Sequence, residues 1–147
     1  MKRKIYLPAL LLILSLISGV LLSKASLVGR TGINLFYKEY KFLKLWWQGS
    51  FVVFITLMVV FGIHSLLAKK LNRSAANKAH LLSVVIALTG LFFTYQDFRN
   101  TLTHRLLGER FHLGAYLFWL GWIIVAVYFL VVNRKINEVN EPSGTKG

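Results

Sequence analysis

The chain has 147 residues, which is the length of a single domain. Its apolar fraction is 56%, which exceeds what the surface of a water-soluble domain tolerates, and its formal net charge is +13. The basic residues flank long apolar blocks, so they suit anionic lipid head groups, and we expect no nucleic-acid partner. The chain contains no cysteine, which excludes disulfides, thiolate metal sites and thiol catalysis.

Four apolar blocks free of charged side chains predict four membrane-spanning α-helices. These blocks are residues 6–22, 51–68, 81–95 and 113–132. A bilayer core of about 30 Å needs about 20 helical residues, so the short third block has to borrow polar residues at its ends. The blocks lack the alternation of membrane β-strands. The predicted fold is an all-α integral membrane protein with four antiparallel transmembrane helices, which form one membrane domain over residues 1–132.

The first block has an alternative interpretation as a signal peptide, because Ser23-Lys24-Ala25 resembles a cleavage site. Its long apolar run favours a retained helix. For the orientation, ten Lys and Arg residues fall in the N-terminus, second loop and C-terminal tail, against eight in the other two loops. Lys2-Arg3-Lys4 and Lys69-Lys70 adjoin their helices directly. We therefore expect both termini in the cytoplasm, and a plasma membrane or bacterial inner membrane as the location.

The first loop predicts an additional amphipathic helix over residues 33–48. Its polar positions recur every three or four residues and include three lysines, with aromatic residues between them. The lysines are Lys38, Lys41 and Lys44. Such a helix lies flat at the membrane interface, where its lysines contact anionic head groups. An anchoring role is favoured over a partner-binding surface. At the other end of the chain, the polar residues 133–147 predict a disordered tail.

Three small residues in the first block follow one another at i+4 spacing: Ser15, Gly19 and Ser23. Small residues at this spacing let two membrane helices approach closely. The pattern indicates a helix-packing face and carries no chemistry.

Two histidines flank the second loop, His64 inside the second block and His80 at the start of the third. Paired imidazoles on adjacent helices are one way to ligate a haem iron, and ionisable residues within membranes are often functional. The alternative is that His64 bonds to a backbone carbonyl or a serine, and that His80 is interfacial. We expect no cofactor, with haem as the alternative.

The third loop, residues 96–112, is rich in ionisable groups. Its cations are Arg99, Arg105 and Arg110, which we expect to contact lipid phosphates. A zinc ion held by Asp97, His104 and His112 is a second cofactor alternative, although this spacing matches no standard site. Glu109 and His112 form a Glu-x-x-His sequence, but a di-iron site needs a second such motif and two further carboxylates inside a bundle.

One stretch of the chain resembles the claudins, which are four-span proteins of cell junctions. The matching residues are Gln96-Asp97-Phe98, Asn100, Leu102, Arg110-Phe111, Gly114, Leu117-Phe118 and Gly121-Trp122. The match covers roughly a fifth of the chain. Claudins carry a Gly-Leu-Trp motif and two cysteines in a long first extracellular segment, whereas this chain has no cysteine and a short basic first loop. A claudin-like protein is kept as a minor alternative.

The functional expectation rests on small-residue helix faces and on spans that lack both charged residues and catalytic motifs. It is a small, non-catalytic accessory, assembly or scaffold subunit of a larger membrane complex, or a homo-oligomer. The alternative is a lipid-binding or lipid-modifying protein that uses the third loop, where arginines would hold a phosphate and a histidine would move protons.

Overall fold

The computed structural model describes residues 3–24, 45–100 and 109–140, and the side chains of 6–24, 45–100 and 109–133. These residues form four α-helices, with no strand among them. The helices are α1 (Arg3–Ser23), α2 (Trp46–Lys70), α3 (Arg73–Asn100) and α4 (Glu109–Asn140). The shortest, α1, has 21 residues and is about 32 Å long at 1.5 Å per residue. All four are long and apolar enough to cross a bilayer, which confirms the prediction of an all-helical membrane protein with four candidate spans.

Several helices extend beyond the apolar blocks that predict them. The helix α3 has 28 residues, since polar residues at both ends continue its backbone hydrogen bonding. Leu71 and Asn72 alone separate it from α2, and the Asn72 side chain accepts a hydrogen bond from the Ala75 N–H at 2.9 Å. This bond caps the first turn of α3. At the other end of the chain, α4 continues to Asn140, so residues 133–140, which the sequence assigned to the polar tail, are helical.

The start of α2 also differs from the sequence prediction. The predicted interfacial helix ended at Gln48, yet Trp46 already opens α2, which continues through Gly49 and Ser50. Both small residues are buried, and the Ser50 hydroxyl donates a 2.8 Å hydrogen bond to the Trp46 carbonyl. Gly49 and Ser50 therefore belong to a packed helix and make no turn. Residues 33–44, with Lys38, Lys41 and Lys44, lie outside the described residues, and the interfacial helix stays a prediction.

The helix α4 is the central element, because it contacts α1, α2 and α3. The helix α1 packs on both α2 and α4, and the interface of these three holds the fully buried Leu11, Leu57 and Val125. By contrast, α3 packs mainly on α4. Its contact with α2 is the smallest of these helix interfaces, although a two-residue link joins the two helices.

Glycine and serine residues bring the three core helices close together. A Cβ atom placed on Gly19 would overlap Ser50 of α2, and one placed on Gly114 would lie 2.8 Å from the Leu22 Cγ atom of α1. The buried Ser18 hydroxyl donates a 2.7 Å hydrogen bond across the interface to the Gly114 carbonyl. The helix α1 thus uses two adjacent faces, one toward α2 and one toward α4. Small side chains on both faces permit this approach.

Candidate functional site

A chain of polar side chains crosses the buried region between α2, α3 and α4. The Nδ1 atoms of His64 and His80 are 2.6 Å apart, and the His64 Nε2 atom lies 3.0 Å from the Ser83 hydroxyl. The Trp122 indole of α4 donates a 2.9 Å hydrogen bond to the same hydroxyl. His64 is 2% exposed and His80 is fully buried. Four side chains from three helices therefore form one hydrogen-bonded network.

The contact between the two histidines leaves one buried nitrogen without a hydrogen-bond partner. Two Nδ1 atoms at 2.6 Å form a hydrogen bond only if one carries a proton and the other offers a lone pair. The His80 Nε2 atom is buried and has no hydrogen-bond partner. Whichever way the shared proton points, one nitrogen of the pair keeps an unsatisfied donor or acceptor, and such a group is costly in an apolar interior. This is the polar group that the fold satisfies least among the described side chains.

The pair does not fit the haem alternative. Bonds between metals and imidazole nitrogens are about 2 Å long, so two axial ligands of one iron stand about 4 Å apart. The facing nitrogens of His64 and His80 are at hydrogen-bond distance instead. The Phe129 ring fills the adjacent space, with its centroid 5.7 Å from that of His64 and 5.5 Å from that of His80. The geometry makes the pair a hydrogen-bonded unit, and we derive no haem chemistry from it.

The interface between α3 and α4 pairs small residues with indoles, which sequence reasoning missed. Small residues on one face of α3 recur every three or four positions from Ser83 onward: Ser83, Ala87, Gly90 and Thr94. Trp119 covers part of this face, since a Cβ atom on Gly90 would overlap its ring and its indole donates a 2.9 Å hydrogen bond to the Thr94 hydroxyl. Trp122 stacks beside it, with ring centroids 5.7 Å apart. The spacing of the small residues in α3 can be seen in the sequence, but their contact with the indoles of α4 cannot.

A groove opens on the outside of the bundle between α3 and α4. Its polar part lies at the third-loop end, has a volume of about 290 Å³ and is lined by Tyr95, Phe98, Arg99, His112 and Tyr116. Its apolar part lies deeper in the spans, has a volume of about 450 Å³ and is lined by Leu88, Leu91, Phe92, Tyr95 and Tyr116. Tyr95 and Tyr116 line both parts, so the two parts adjoin.

Two side chains in the polar part of the groove are held in place by neighbours. The Arg99 guanidinium donates a 2.9 Å hydrogen bond to the Tyr95 hydroxyl, one turn earlier in α3. The His112 ring stacks on Phe98, with centroids 4.2 Å apart and planes 14° from parallel. Both groups thus sit at the mouth of an apolar groove, where they can meet an anion.

The other predicted site residues lie elsewhere. Arg110 is exposed on the first turn of α4 and does not line the groove. His104 and Arg105 lie outside the described residues, and with them part of the proposed zinc site. Within residues 3–24, 45–100 and 109–140, no group of three His, Asp or Glu residues is placed to hold a metal ion.

The three predicted packing residues of α1 have different surroundings. Gly19 lies against Ser50. The Ser15 and Ser23 hydroxyls donate to carbonyls of their own helix, those of Leu11 and Val20. A 2.7 Å hydrogen bond to another helix comes instead from Ser18, which the sequence pattern did not select.

Comparison of the chain with protein-family models, with curated proteins and with solved structures finds no match. The resemblance of residues 96–122 to claudins therefore gains no support from these comparisons.

Proposed function

We propose that the chain is a small, non-catalytic accessory or scaffold subunit that packs against a larger protein within the membrane. The observation that carries the proposal is the filled interior of the α1–α2–α4 core. Leu11, Leu57 and Val125 are fully buried there, and a Cβ atom on Gly121 would lie 2.8 Å from a methyl group of Leu57. A bundle packed this closely encloses little space for a substrate.

The helix α3 is the element best suited to a partner. In its spanning window 11% of the residues are buried within the chain, against 39% for α1. The small-residue face of α3 meets α4, and one flank of α3 beside that face carries large, exposed apolar side chains. These are Leu82, Val85, Ile86 and Phe93. A membrane helix of the larger protein would pack along this stripe, which follows the i, i+3, i+4 spacing of one helix face.

Extraction of a tagged full-length chain in mild detergent tests the proposal. We expect a membrane protein to co-purify in fixed stoichiometry. The variant Phe93→Ala should reduce its recovery, whereas Ile13→Ala, on an exposed position of α1, should not. Recovery of the chain alone, or equal effects of both variants, would contradict the proposal.

The proposed topology is four helices that alternate in direction, with both termini in the cytoplasm. The register of α1 and α4 supports the alternation. Residues early in α1 and late in α4, such as Leu7 and Val131, line the same pocket, and Ser18, late in α1, bonds to Gly114 at the start of α4. The chain has no cysteine, so single substitutions can be labelled specifically. In sealed vesicles, Lys146→Cys and Arg30→Cys should react from opposite sides, and labelling of both from one side would refute an even number of spans.

A further inference from the structure

We propose that the groove between α3 and α4 binds one phospholipid, with the phosphate at Arg99 and His112 and an acyl chain along Leu88, Leu91 and Phe92. The proposal goes beyond the accessory role, because it assigns a ligand to a surface that the packing argument does not use. Basic loops attract anionic lipids without a defined binding site, whereas here one lipid would occupy one groove and contact named side chains.

The polar part of the groove presents hydrogen-bond donors that suit a phosphate. Arginine has five N–H donors in a planar fork that matches the oxygens of a phosphate. One of these donors is taken by the Tyr95 hydroxyl, which fixes the guanidinium at the mouth of the groove and leaves the other donors to a ligand. The His112 ring, stacked on Phe98, stands on the opposite wall. An anion bound at Arg99 would lie between the two helices.

The length of the groove matches one leaflet of a bilayer. From Leu88 to Arg99 the helix advances eleven residues, which is about 16 Å at 1.5 Å per residue. Half of a bilayer core is about 15 Å. Arg99 lies among the polar Gln96, Asp97 and Asn100 in the last turns of α3, at the level expected for head groups. A lipid with its phosphate at Arg99 would therefore end near the bottom of the apolar part.

The change of polarity along the groove favours a lipid over a protein helix as its occupant. The apolar part is lined by aliphatic and aromatic side chains, and the adjoining polar part holds a cation. One molecule with an anionic end and a long apolar end complements both parts.

Native mass spectrometry of the purified full-length chain, equilibrated with phosphatidylglycerol, tests the site. We expect one retained lipid per chain. Arg99→Gln should weaken retention about tenfold or more, because hydrogen bonds to charged groups are worth about 1.5–3 kcal/mol and each 1.4 kcal/mol is a factor of ten. Arg110→Gln is the matched control: it removes an exposed cation at the same end of the bundle without touching the groove, and it should leave retention unchanged.

Further probes separate a phospholipid from its parts. Diacylglycerol, which lacks the phosphate, should be retained more weakly than phosphatidylglycerol, and inorganic phosphate should not displace the lipid. Leu91→Trp should reduce retention by filling the apolar part, and it decides the question if Arg99→Gln does not fold. Equal loss in Arg99→Gln and Arg110→Gln, equal retention of diacylglycerol, displacement by inorganic phosphate, or unaltered retention in Leu91→Trp would each overturn the proposal. Since a purified chain is measured, the result is independent of whether a protein partner exists.

Discussion

Replacing Gly19 by alanine tests how closely α1 and α2 pack. The nearest atoms to a Cβ at this position all belong to Ser50: its Oγ, its backbone N and its Cα, the last at 2.6 Å. Rotation of the Ser50 side chain relieves the first overlap but not those with the backbone. The two helices therefore have to move apart, and the buried contacts around Ser50 loosen with them.

The expected cost follows from two opposing effects. Overpacking a close interface costs about 1–3 kcal/mol. Alanine is favoured over glycine in a helix by about 0.5–1 kcal/mol, so we expect a net loss of about 1–2 kcal/mol for Gly19→Ala. Gly62 provides the matched control, because a Cβ there meets no atom within 4 Å. Gly62→Ala should leave stability unchanged or raise it.

Thermal unfolding in detergent, followed by circular dichroism, measures the difference. For a chain of this size each kcal/mol corresponds to about 2–4 °C, so Gly19→Ala should melt about 2–8 °C below the wild type. The double variant Gly19→Ala/Ser50→Gly should recover part of the loss, since it removes the Ser50 hydroxyl and leaves its backbone in place. A Gly19→Ala variant as stable as Gly62→Ala would refute the close contact of α1 and α2.

Three further predictions concern the polar network and the first loop. Ser83→Ala should destabilise the chain by about 1–3 kcal/mol, because the Trp122 and His64 side chains lose a buried partner; Thr56→Ala, which removes an exposed hydroxyl bonded within its own helix, should change unfolding little. The double variant His64→Leu/His80→Leu should lose about 1 kcal/mol less stability than the sum of the losses of the two single variants, because either single change already breaks the hydrogen bond. Strict additivity would exclude the direct hydrogen bond. Replacing the lysines of the predicted interfacial helix, Lys38, Lys41 and Lys44, by glutamate should weaken binding to anionic vesicles by about 1 kcal/mol per charge, whereas replacing Arg99, Arg105 and Arg110 should leave insertion intact in a protease-protection assay.

The four spans could be predicted because bilayer thickness imposes a minimum length on an uncharged run of residues. The ends of the helices could not, since backbone hydrogen bonding continues through polar residues wherever water or head groups solvate them. The apolar block 81–95 therefore sits inside a helix of 28 residues. The predicted interfacial helix, which ends at Gln48, overlaps the start of α2 for a related reason. Small residues such as Gly49 and Ser50 serve both turns and close helix packing, and only the neighbouring α1 decides between the two.

The candidate sites could also be predicted only in part from the sequence. His64 and His80 flank a short link, so their equal depth was predictable, whereas their direct hydrogen bond depends on the rotation of each helix about its axis. The groove needed knowledge that α3 packs on α4, because His112 and Arg99 come from different helices. The sequence grouped Arg99 with Arg110 as third-loop cations, but of these two the structure places Arg99, and not Arg110, at the groove.

The short link between α2 and α3 bears on how the chain is made. Because α2 and α3 touch little, α1 and α2 can pair as one hairpin before α3 is inserted. The helix α3 gains its main neighbour only when α4 follows. Assembly then ends when α4 packs between the α1–α2 hairpin and α3, and joins them through Gly114, Gly121 and Trp122. Chains cut between Leu71 and Asn72 and expressed as two fragments should for the same reason reassemble in the membrane, since the break removes a connection and almost no packing.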